Sequence, residues 1–211
     1  MSRLSNQLEK CFRLLNDHFF NGCLEMPIIT IAPTRSAYGH YTAYDAWQSK
    51  DEGKREINIA SATLDRPLEE VVATLLHEMV HYYDDCILLE VDCTRNGTYH
   101  NATFYKTAVT HGLNCEKIAP YGYCRTSPSD ELLEFLLDHD EIREIEMCRV
   151  DEATALSIGR GSGTGSEPPT TITRRINSRR WTCPSCGTII RSTKPVNVIC
   201  GDCLERFLET T

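Results

Sequence analysis

The sequence predicts an α+β protein that carries a small cysteine-containing β module near its C-terminus. Amphipathic helical periodicity and short alternating, strand-like runs occur along the first part of the chain. Near the C-terminus, Cys183, Cys186, Cys200 and Cys203 form two C-x₂-C pairs separated by thirteen residues. Four thiolates at this spacing favour a closed structural zinc site, so we expect a zinc ribbon stabilised by its metal. A redox-active dithiol pair is the alternative.

Composition divides the chain into a domain at 1–150, a flexible linker at 151–173 and the ribbon at 174–211. The linker assignment rests on the Gly, Ser, Thr and Pro residues between 159 and 171. Residues 1–150 hold 24 acidic and 14 basic residues, a net charge of −10, whereas residues 151–211 hold 6 acidic and 8 basic residues. We therefore expect an acidic body and a basic C-terminal region.

Apolar runs in the sequence are short, which predicts that no segment crosses a membrane. The N-terminus lacks the apolar core of a signal peptide. Seven of the 11 cysteines have no ligand spacing, and we expect them to be small buried apolar residues in a reducing compartment. The prediction is a cytoplasmic protein, or a nucleoid or nuclear one if it associates with DNA, and not a secreted one.

The order of the elements follows from periodicity and turn signals. We expect a first helix from Leu4 to Phe19, ended by Asn21-Gly22. Asp65 is the expected cap of the next helix, with Pro67 in its first turn. The remaining expected elements are strands at 27–32, 39–44 and 56–60, helices at 99–112 and 131–139, further helical turns at 141–147, and ribbon strands at 188–191 and 196–199.

The second helix carries the pattern H-E-x-x-H as His77-Glu78-Met79-Val80-His81. Apolar residues at three- and four-residue steps form one stripe, and His77 and His81 fall opposite it. Residues four apart on a helix are neighbours, so both imidazoles can bind one metal ion, while Glu78 can hydrogen-bond a metal-bound water. Because this short pattern also occurs by chance, a third ligand is needed.

His100 is the expected third ligand, and Asp92 is the alternative. Phe104 follows His100 by one helical turn and would anchor that face. His111 would lie about 16 Å along a continuous helix from His100, too far to share the metal. We expect His111 to act instead as a cation near the C-terminus of its helix.

The stretch from Leu8 to Phe104 resembles the SprT-like (Spartan-type) metallopeptidase family. The residues that carry this resemblance are Leu15-Asn16, Phe20-Asn21-Gly22, Leu24, Pro27, Gly39, Ile57-Asn58-Ile59, Leu75 to His81, and His100 with Phe104. Where members commonly have His-Gly, this chain has His100-Asn101. The resemblance implies a zincin-like fold, with helices on a small antiparallel sheet and a cleft over zinc. Some members cut proteins covalently trapped on DNA, which implies a role in DNA–protein crosslink repair.

The function predicted from the sequence is therefore a zinc endopeptidase. His77, His81 and His100 would hold zinc, and Glu78 would act as general base. An edge strand near 39–44 would hold an extended protein substrate. The alternative is a non-catalytic nucleic-acid-binding or regulatory protein with two structural zinc sites. Glu78 favours the enzyme, because a structural site does not need this carboxylate.

The basic C-terminal region predicts a contact with single-stranded or frayed DNA. Basic residues that surround one aromatic suit phosphate contact and base stacking. The residues are Arg174, Arg175, Arg179, Arg180 and Trp181. The alternative is a solvated linker with a tryptophan that packs in the ribbon core.

Overall fold

A computed structural model describes residues 2–34, 37–144, 179–192 and 195–210. Contacts between residues divide the chain into two compact units, Met1–Arg174 and Arg175–Thr211. The predicted linker at 151–173 lies outside the described residues, and the division into three segments stays a prediction. Among the described helices, none combines the length and apolarity needed to cross a bilayer.

The first unit combines helices with two small sheets, which confirms the α+β prediction. Its helices are α1 (Ser2–Phe19), α2 (Leu68–Tyr83), α3 (Ala102–Thr110) and α4 (Asp130–Asp138). Its strands are β1 (Ile28–Ala32), β2 (Gly39–Gln48), β3 (Gly53–Ala60), β4 (Cys93–Thr94), β5 (Tyr99–His100), β6 (Leu113–Ile118) and β7 (Gly122–Pro128).

The first sheet has the strand order β1-β3-β2 and is mixed. β2 and β3 pair antiparallel, whereas β1 pairs parallel with β3, with Ile29 opposite Ile57. The expectation of an antiparallel sheet is therefore wrong. β3 lies between β1 and β2, and because β1 runs in the opposite direction to β2, the strand that is antiparallel to β2 is parallel to β1. β2 lies at the edge of this sheet.

The second sheet has the order β4-β5-β7-β6. The β6–β7 hairpin was not predicted, because the alternation of apolar and polar residues in β6 extends only from Leu113 to Glu116. β5 pairs with β7 where His100 lies opposite Gly122. This pairing is close: a Cβ at Gly122 would lie 2.0 Å from the carbonyl oxygen of His100. Glycine is required there to bring β7 against the strand of His100.

Helix α2 is buried on nearly all sides, not on one stripe as its periodicity suggests. Twelve of its sixteen residues are buried, and Glu70 is the one residue of the helix that is exposed. The helix contacts β2 and β3 on one side and α1, α3, α4 and the β6–β7 hairpin on others. The helix begins after Pro67, which makes no side-chain cap, so the expected cap at Asp65 is wrong. This central position lets the other elements meet around its histidines.

The structure confirms one predicted helix boundary and changes another. Asn21 and Gly22 both have positive φ and end the first helix region, as predicted. The predicted helix at 99–112 begins only at Ala102, because His100 belongs to β5 and Asn101 is the N-cap. Asn101 Oδ1 accepts hydrogen bonds from the backbone N–H groups of Thr103 and Phe104, which satisfies donors that a helix start leaves free.

The second unit is a three-stranded sheet around a small core. Its strands are β8 (Arg179–Thr182), β9 (Ile189–Ser192) and β10 (Leu208–Thr210), in the order β10-β8-β9. Cys183, Cys200 and Phe207 form its buried core, and Trp181 packs against them. The strand predicted at 196–199 is absent from this described part; only Ile199 forms an isolated bridge, with Arg206.

Candidate metal centre

Three histidines converge in the first unit. His77 and His81 lie on α2, and His100 enters from β5. Nε2 of His77 lies 3.1 Å from Nε2 of His100 and 3.2 Å from Nε2 of His81. The structure thus brings together all three residues predicted as ligands of the first metal.

One buried aromatic ring supports all three imidazoles. The ring of Phe104 lies 4.7 Å from those of His77 and His81 and 4.6 Å from that of His100, measured between centroids. Phe104 is fully buried. Packing in the core therefore restricts the rotation of each imidazole before any ligand binds.

The Nδ1 atoms of two of the imidazoles have hydrogen-bond partners of their own. Nδ1 of His77 lies 3.0 Å from Oγ1 of Thr126, and Nδ1 of His81 is hydrogen-bonded to the carboxylate of Asp92. Such partners fix the ring orientation and leave Nε2 free to bind a metal. Thr126 was missed, since nothing in the sequence relates it to His77. Within the described part of the chain, Nδ1 of His100 is buried without a partner.

Asp92 therefore lies behind a histidine and not among the three converging nitrogens. A second group of ligand atoms, from His81, Asp92 and Cys93, also meets. This second group would use Nδ1 of His81, which already forms a hydrogen bond with Asp92. As an alternative third ligand, Asp92 is less well placed than His100.

The surroundings give the three histidines different pKa values. Burial, with the neighbouring His81 and His100, lowers the pKa of His77 well below its usual value. Burial, with His81, lowers the pKa of His100 to about 4. Burial also opposes charge on His81, but hydrogen bonds with Asp92 and Cys93 outweigh it and raise its pKa to about 10. His77 and His100 are thus neutral near pH 7, the form that binds metals.

Glu78 is buried beside the histidines and is held by β2. It is 5% exposed, and the backbone N–H of Tyr41 hydrogen-bonds its carboxylate. Burial raises the pKa of Glu78 to about 7, although His81 and the Tyr41 hydrogen bond oppose the rise. A carboxylate with such a pKa can both accept and release a proton near neutral pH.

Gly39 allows β2 to come this close. A Cβ at Gly39 would lie 3.0 Å from Oε1 of Glu78 and 3.1 Å from Cγ2 of Thr74. The neighbouring Tyr41 is fixed by its hydroxyl, which donates to Oδ2 of Asp85 at 2.6 Å. The position of Glu78 therefore depends on Gly39 and Tyr41, whose role only the folded structure reveals.

Helix α3 is tied to the end of α2 by a buried hydrogen bond. Thr107 Oγ1 donates to Oδ1 of Asp84 at 2.6 Å. Burial raises the pKa of Asp84 to about 6, and the Thr107 hydrogen bond opposes this rise. The link helps to fix α3, and hence Phe104, relative to the two histidines of α2.

His111 lies apart from the site, as expected, and burial disfavours its predicted role as a cation. Its ring stacks on Phe20, with centroids 4.5 Å apart. Burial lowers its pKa below the usual value, although a hydrogen bond with the carbonyl of Thr107 opposes this. His111 therefore packs as an aromatic ring at the end of α3.

The four cysteines of the second unit also converge. The Sγ atoms of Cys183, Cys186, Cys200 and Cys203 all lie within 4.8 Å of one another. Two matching turns present them: the N–H of Cys183 donates to the Thr188 carbonyl, and the N–H of Cys200 to the Glu205 carbonyl. Hydrogen bonds from the side chain and backbone of Thr188 lower the pKa of Cys186 to about 6, which favours the thiolate that binds metals.

Both donor sets fit zinc by their chemistry. Three imidazole nitrogens that meet in one place provide the ligand number of a zinc site with an open position. Four thiolates provide the ligand number of a closed structural site.

The other cysteines are less buried than predicted: Cys11 is buried, but Cys23 is exposed and Cys86, Cys93, Cys115 and Cys124 are half-buried. Cys148 lies outside the described residues.

The residues predicted to contact DNA are only partly described. Arg174 and Arg175 lie outside the described residues. Arg179 is exposed and pairs with Glu209 at 2.9 Å, and Arg180 is half-buried. Trp181 is half-buried against the core of the ribbon, which supports the packing interpretation of this residue.

Comparison with known protein families assigns the chain to a family through the region that holds the three histidines. The model of the SprT-like family matches residues 8–115, which include α2 and all three histidines. The chain therefore belongs to the SprT-like family, whose domains are generally of the zinc-metallopeptidase type. Searches of curated proteins and of solved structures gave no match.

We expect the purified chain to hold two zinc ions, one at each donor set. His100→Ala should weaken only the histidine site, and Cys183→Ser should remove only the ribbon zinc, because the two sets share no residue. Metal content by mass spectrometry and competition with a chelator measure both effects. An unchanged affinity of the histidine site in His100→Ala would refute the assignment of the third ligand, and Asp92→Ala would then be the variant to compare.

Proposed function

We propose that the chain is a zinc endopeptidase. The observation that carries this proposal is the position of Glu78, a buried carboxylate beside three converging imidazole nitrogens. A structural zinc site has no need of such a group, whereas peptide hydrolysis requires a general base near the attacking water. Membership of the SprT-like family supports the same function.

The proposed mechanism divides the work between the metal and the chain. His77, His81 and His100 would hold zinc, which supplies a Lewis acid that polarises the scissile carbonyl and activates water. Glu78 accepts a proton from the attacking water and then releases it to the leaving amine. The N–H of Tyr41 orients the carboxylate during both transfers. Asp92 and Thr126 keep two imidazoles in the orientation that directs Nε2 to the metal.

Strand β2 is the proposed contact for the substrate backbone. It lies at the edge of its sheet, and its residues Gly39 and Tyr41 approach Glu78. An extended peptide can add to such an edge through backbone hydrogen bonds. This arrangement would present a peptide bond to Glu78 with little dependence on the side chains of the substrate.

The proposed substrates are proteins that are bound or crosslinked to DNA, with the C-terminal basic region as one DNA contact. The support is the charge distribution: seven basic residues against one acidic residue occur between 159 and 199, beside an acidic body. Phosphates are attracted to such a region by counterion release.

Glu78→Gln should abolish most peptidase activity while zinc content and fold are retained. The amide cannot accept a proton, and general-base catalysis contributes about 10²- to 10⁴-fold. Cleavage of an unfolded protein and of a DNA-crosslinked protein would be measured side by side. Glu70→Gln is the matched control, because Glu70 is the exposed residue of the same helix. Undiminished cleavage by Glu78→Gln would exclude this mechanism.

Gly39→Ala should lower kcat with little change in zinc affinity. The new methyl group would force the Glu78 carboxylate or β2 to move, and a displacement of about 1 Å at a catalytic group can cost up to about 10²-fold. The control is His40→Ala, which alters the exposed neighbour in the same strand. Equal kcat values for Gly39→Ala and wild type would show that Glu78 tolerates a shift of β2.

Replacement of Arg174, Arg175, Arg179 and Arg180 by Gln should weaken binding of single-stranded DNA by the full chain. Each lost phosphate contact should flatten the dependence of log affinity on log salt by about 0.7. Fluorescence anisotropy at several salt concentrations measures both quantities. If affinity and slope stayed at wild-type values, the basic region would contact something other than DNA.

A further inference from the structure

A second group of metal-binding side chains adjoins the histidine centre and differs from it in chemistry. Nδ1 of His81, a carboxylate oxygen of Asp92 and Sγ of Cys93 all lie within 4.8 Å of one another. Sγ of Cys93 lies 4.0 Å from Nδ1 of His81, and the carboxylate of Asp92 is hydrogen-bonded to the same nitrogen. This mixed-donor group thus combines nitrogen, oxygen and sulfur, whereas the converging atoms of the histidine centre are all nitrogens.

Backbone contacts hold Asp92 and Cys93 beside His81. The N–H of Asn101, the N-cap of α3, donates to the carbonyl of Asp92 at 2.9 Å. In the hairpin of β4 and β5, Cys93 lies opposite His100. Both residues are therefore tied to the segment that carries the third histidine and starts α3. The donors of the mixed-donor group are positioned by the fold before any ion binds.

Solvent and charge both give a cation access to the mixed-donor group. The side chains of His81 and Asp92 are 13% and 15% exposed, and Cys93 is half-buried. An ion can therefore reach the three donors without opening of the core. The exposed Glu90 lies two residues before Asp92, and residues 1–150 carry a net charge of −10. This negative charge raises the local concentration of cations.

The thiol of Cys93 determines which cations suit the mixed-donor group. Thiolates favour soft metal ions, whereas imidazoles and carboxylates also accept harder ones. Zn²⁺ can bind the three nitrogens of the histidine centre, which includes no sulfur. A softer divalent ion such as Cd²⁺ gains more from the thiolate and therefore favours the mixed-donor group over the histidine centre.

His81 is common to both sets of donors, so the two sets compete for it. A neutral imidazole carries a proton on one nitrogen and a free lone pair on the other. When Nδ1 of His81 donates to Asp92, Nε2 is free for the histidine centre. When Nδ1 binds an ion, the proton lies on Nε2, and the histidine centre retains only His77 and His100.

We propose that His81, Asp92 and Cys93 form a site for a thiophilic divalent cation such as Cd²⁺, and that its occupation withdraws His81 from the histidine centre. Binding releases the thiol proton of Cys93 to solvent and leaves the proton of His81 on Nε2. Asp92 changes from a hydrogen-bond acceptor to a ligand. The metal content of the histidine centre then depends on the supply of soft cations. Because metal binding here needs no turnover, the proposal does not rest on the proposed peptidase activity.

The first test asks whether Cys93 binds the ion, by titration of the zinc-loaded full chain with Cd²⁺. The ultraviolet charge-transfer band between thiolate and cadmium should be smaller in Cys93→Ser than in wild type by the contribution of one thiolate. The cadmium affinity of this site should fall at least about tenfold, since even the outer partners of metal ligands contribute that much.

Cys115→Ser is the matched control, because Cys115 is also half-buried and lies in β6 of the same sheet. It should retain the wild-type band, and the ribbon cysteines contribute equally in all three proteins. A band in Cys93→Ser equal to that of wild type would overturn the proposal. So would an equal loss of the band in Cys115→Ser.

The second test identifies the nitrogen of His81 that binds cadmium and needs no variant. In NMR spectra of the full chain, labelled with ¹⁵N and loaded with ¹¹³Cd²⁺, the metal should couple to Nδ1 of His81. The same ion should show no coupling to the rings of His77 and His100. Coupling of cadmium to Nε2 of His81 would place the ion in the histidine centre and overturn the proposal.

The number of bound ions tests the competition for His81. At saturating Cd²⁺, native mass spectrometry should show two ions per chain, one in the mixed-donor group and one in the ribbon. A third ion, lost in Cys93→Ser, would show that the histidine centre and the mixed-donor group fill together. That result would overturn the withdrawal of His81 from the histidine centre.

Discussion

The packing of three imidazole rings on Phe104 is the constraint on which the metal centre depends. Phe104 belongs to α3, so its ring can support all three imidazoles only if α3 is correctly placed against α2. Two polar contacts fix that placement: the cap by Asn101 at the start of α3 and the hydrogen bond between Thr107 and Asp84 near its end. The core therefore organises the ligands, and a metal would bind to imidazoles whose rotation is already restricted. A smaller residue at 104 would leave a cavity beneath all three rings at once.

Local patterns in the sequence were sufficient to single out the three histidines and the four cysteines that the structure brings together, and they were insufficient to predict what supports them. The i, i+4 spacing of His77 and His81 and the repeated C-x₂-C pairs act through geometry that extends over a few residues, so they can be recognised without a fold. The Asp92 carboxylate, Thr126 and Gly39 act across elements, and their roles depend on which strand or loop packs against α2. The mixed sheet was missed for a related reason, because periodicity identifies strands but not their neighbours. The burial of α2 on nearly all sides was underestimated, since a stripe of apolar residues reports only one packed face.

The two units derive their stability from different sources. The first has an extensive core, with α2 at its centre and large apolar residues from α1, β3, α3 and α4 around it. The described part of the ribbon has three buried core residues, two of which are cysteines. Burial of apolar surface can stabilise the first unit without metal, whereas the second needs a tetrahedral metal site to hold its two turns together. Removal of metal should consequently affect the ribbon as a folding event and the histidine centre mainly as a local change.

The register shift in β2 affects how readily copies of the chain can associate through this edge strand. An exposed edge strand is a template for pairing with any extended chain, including other copies of the same protein. In β2, regular pairing with β3 runs from Gly39 to Thr42, and the register shifts before it resumes at Trp47. The bulge twists the outer half of the strand away from a straight edge, and the charged Asp45 lies within it, 3.7 Å from Arg55. The stretch that remains straight is short and lies beside Glu78, so the segment most open to a foreign strand is also the one nearest the proposed general base. If the proposed function holds, an intruding chain would meet the residues proposed to cut it before it could extend into a fibril.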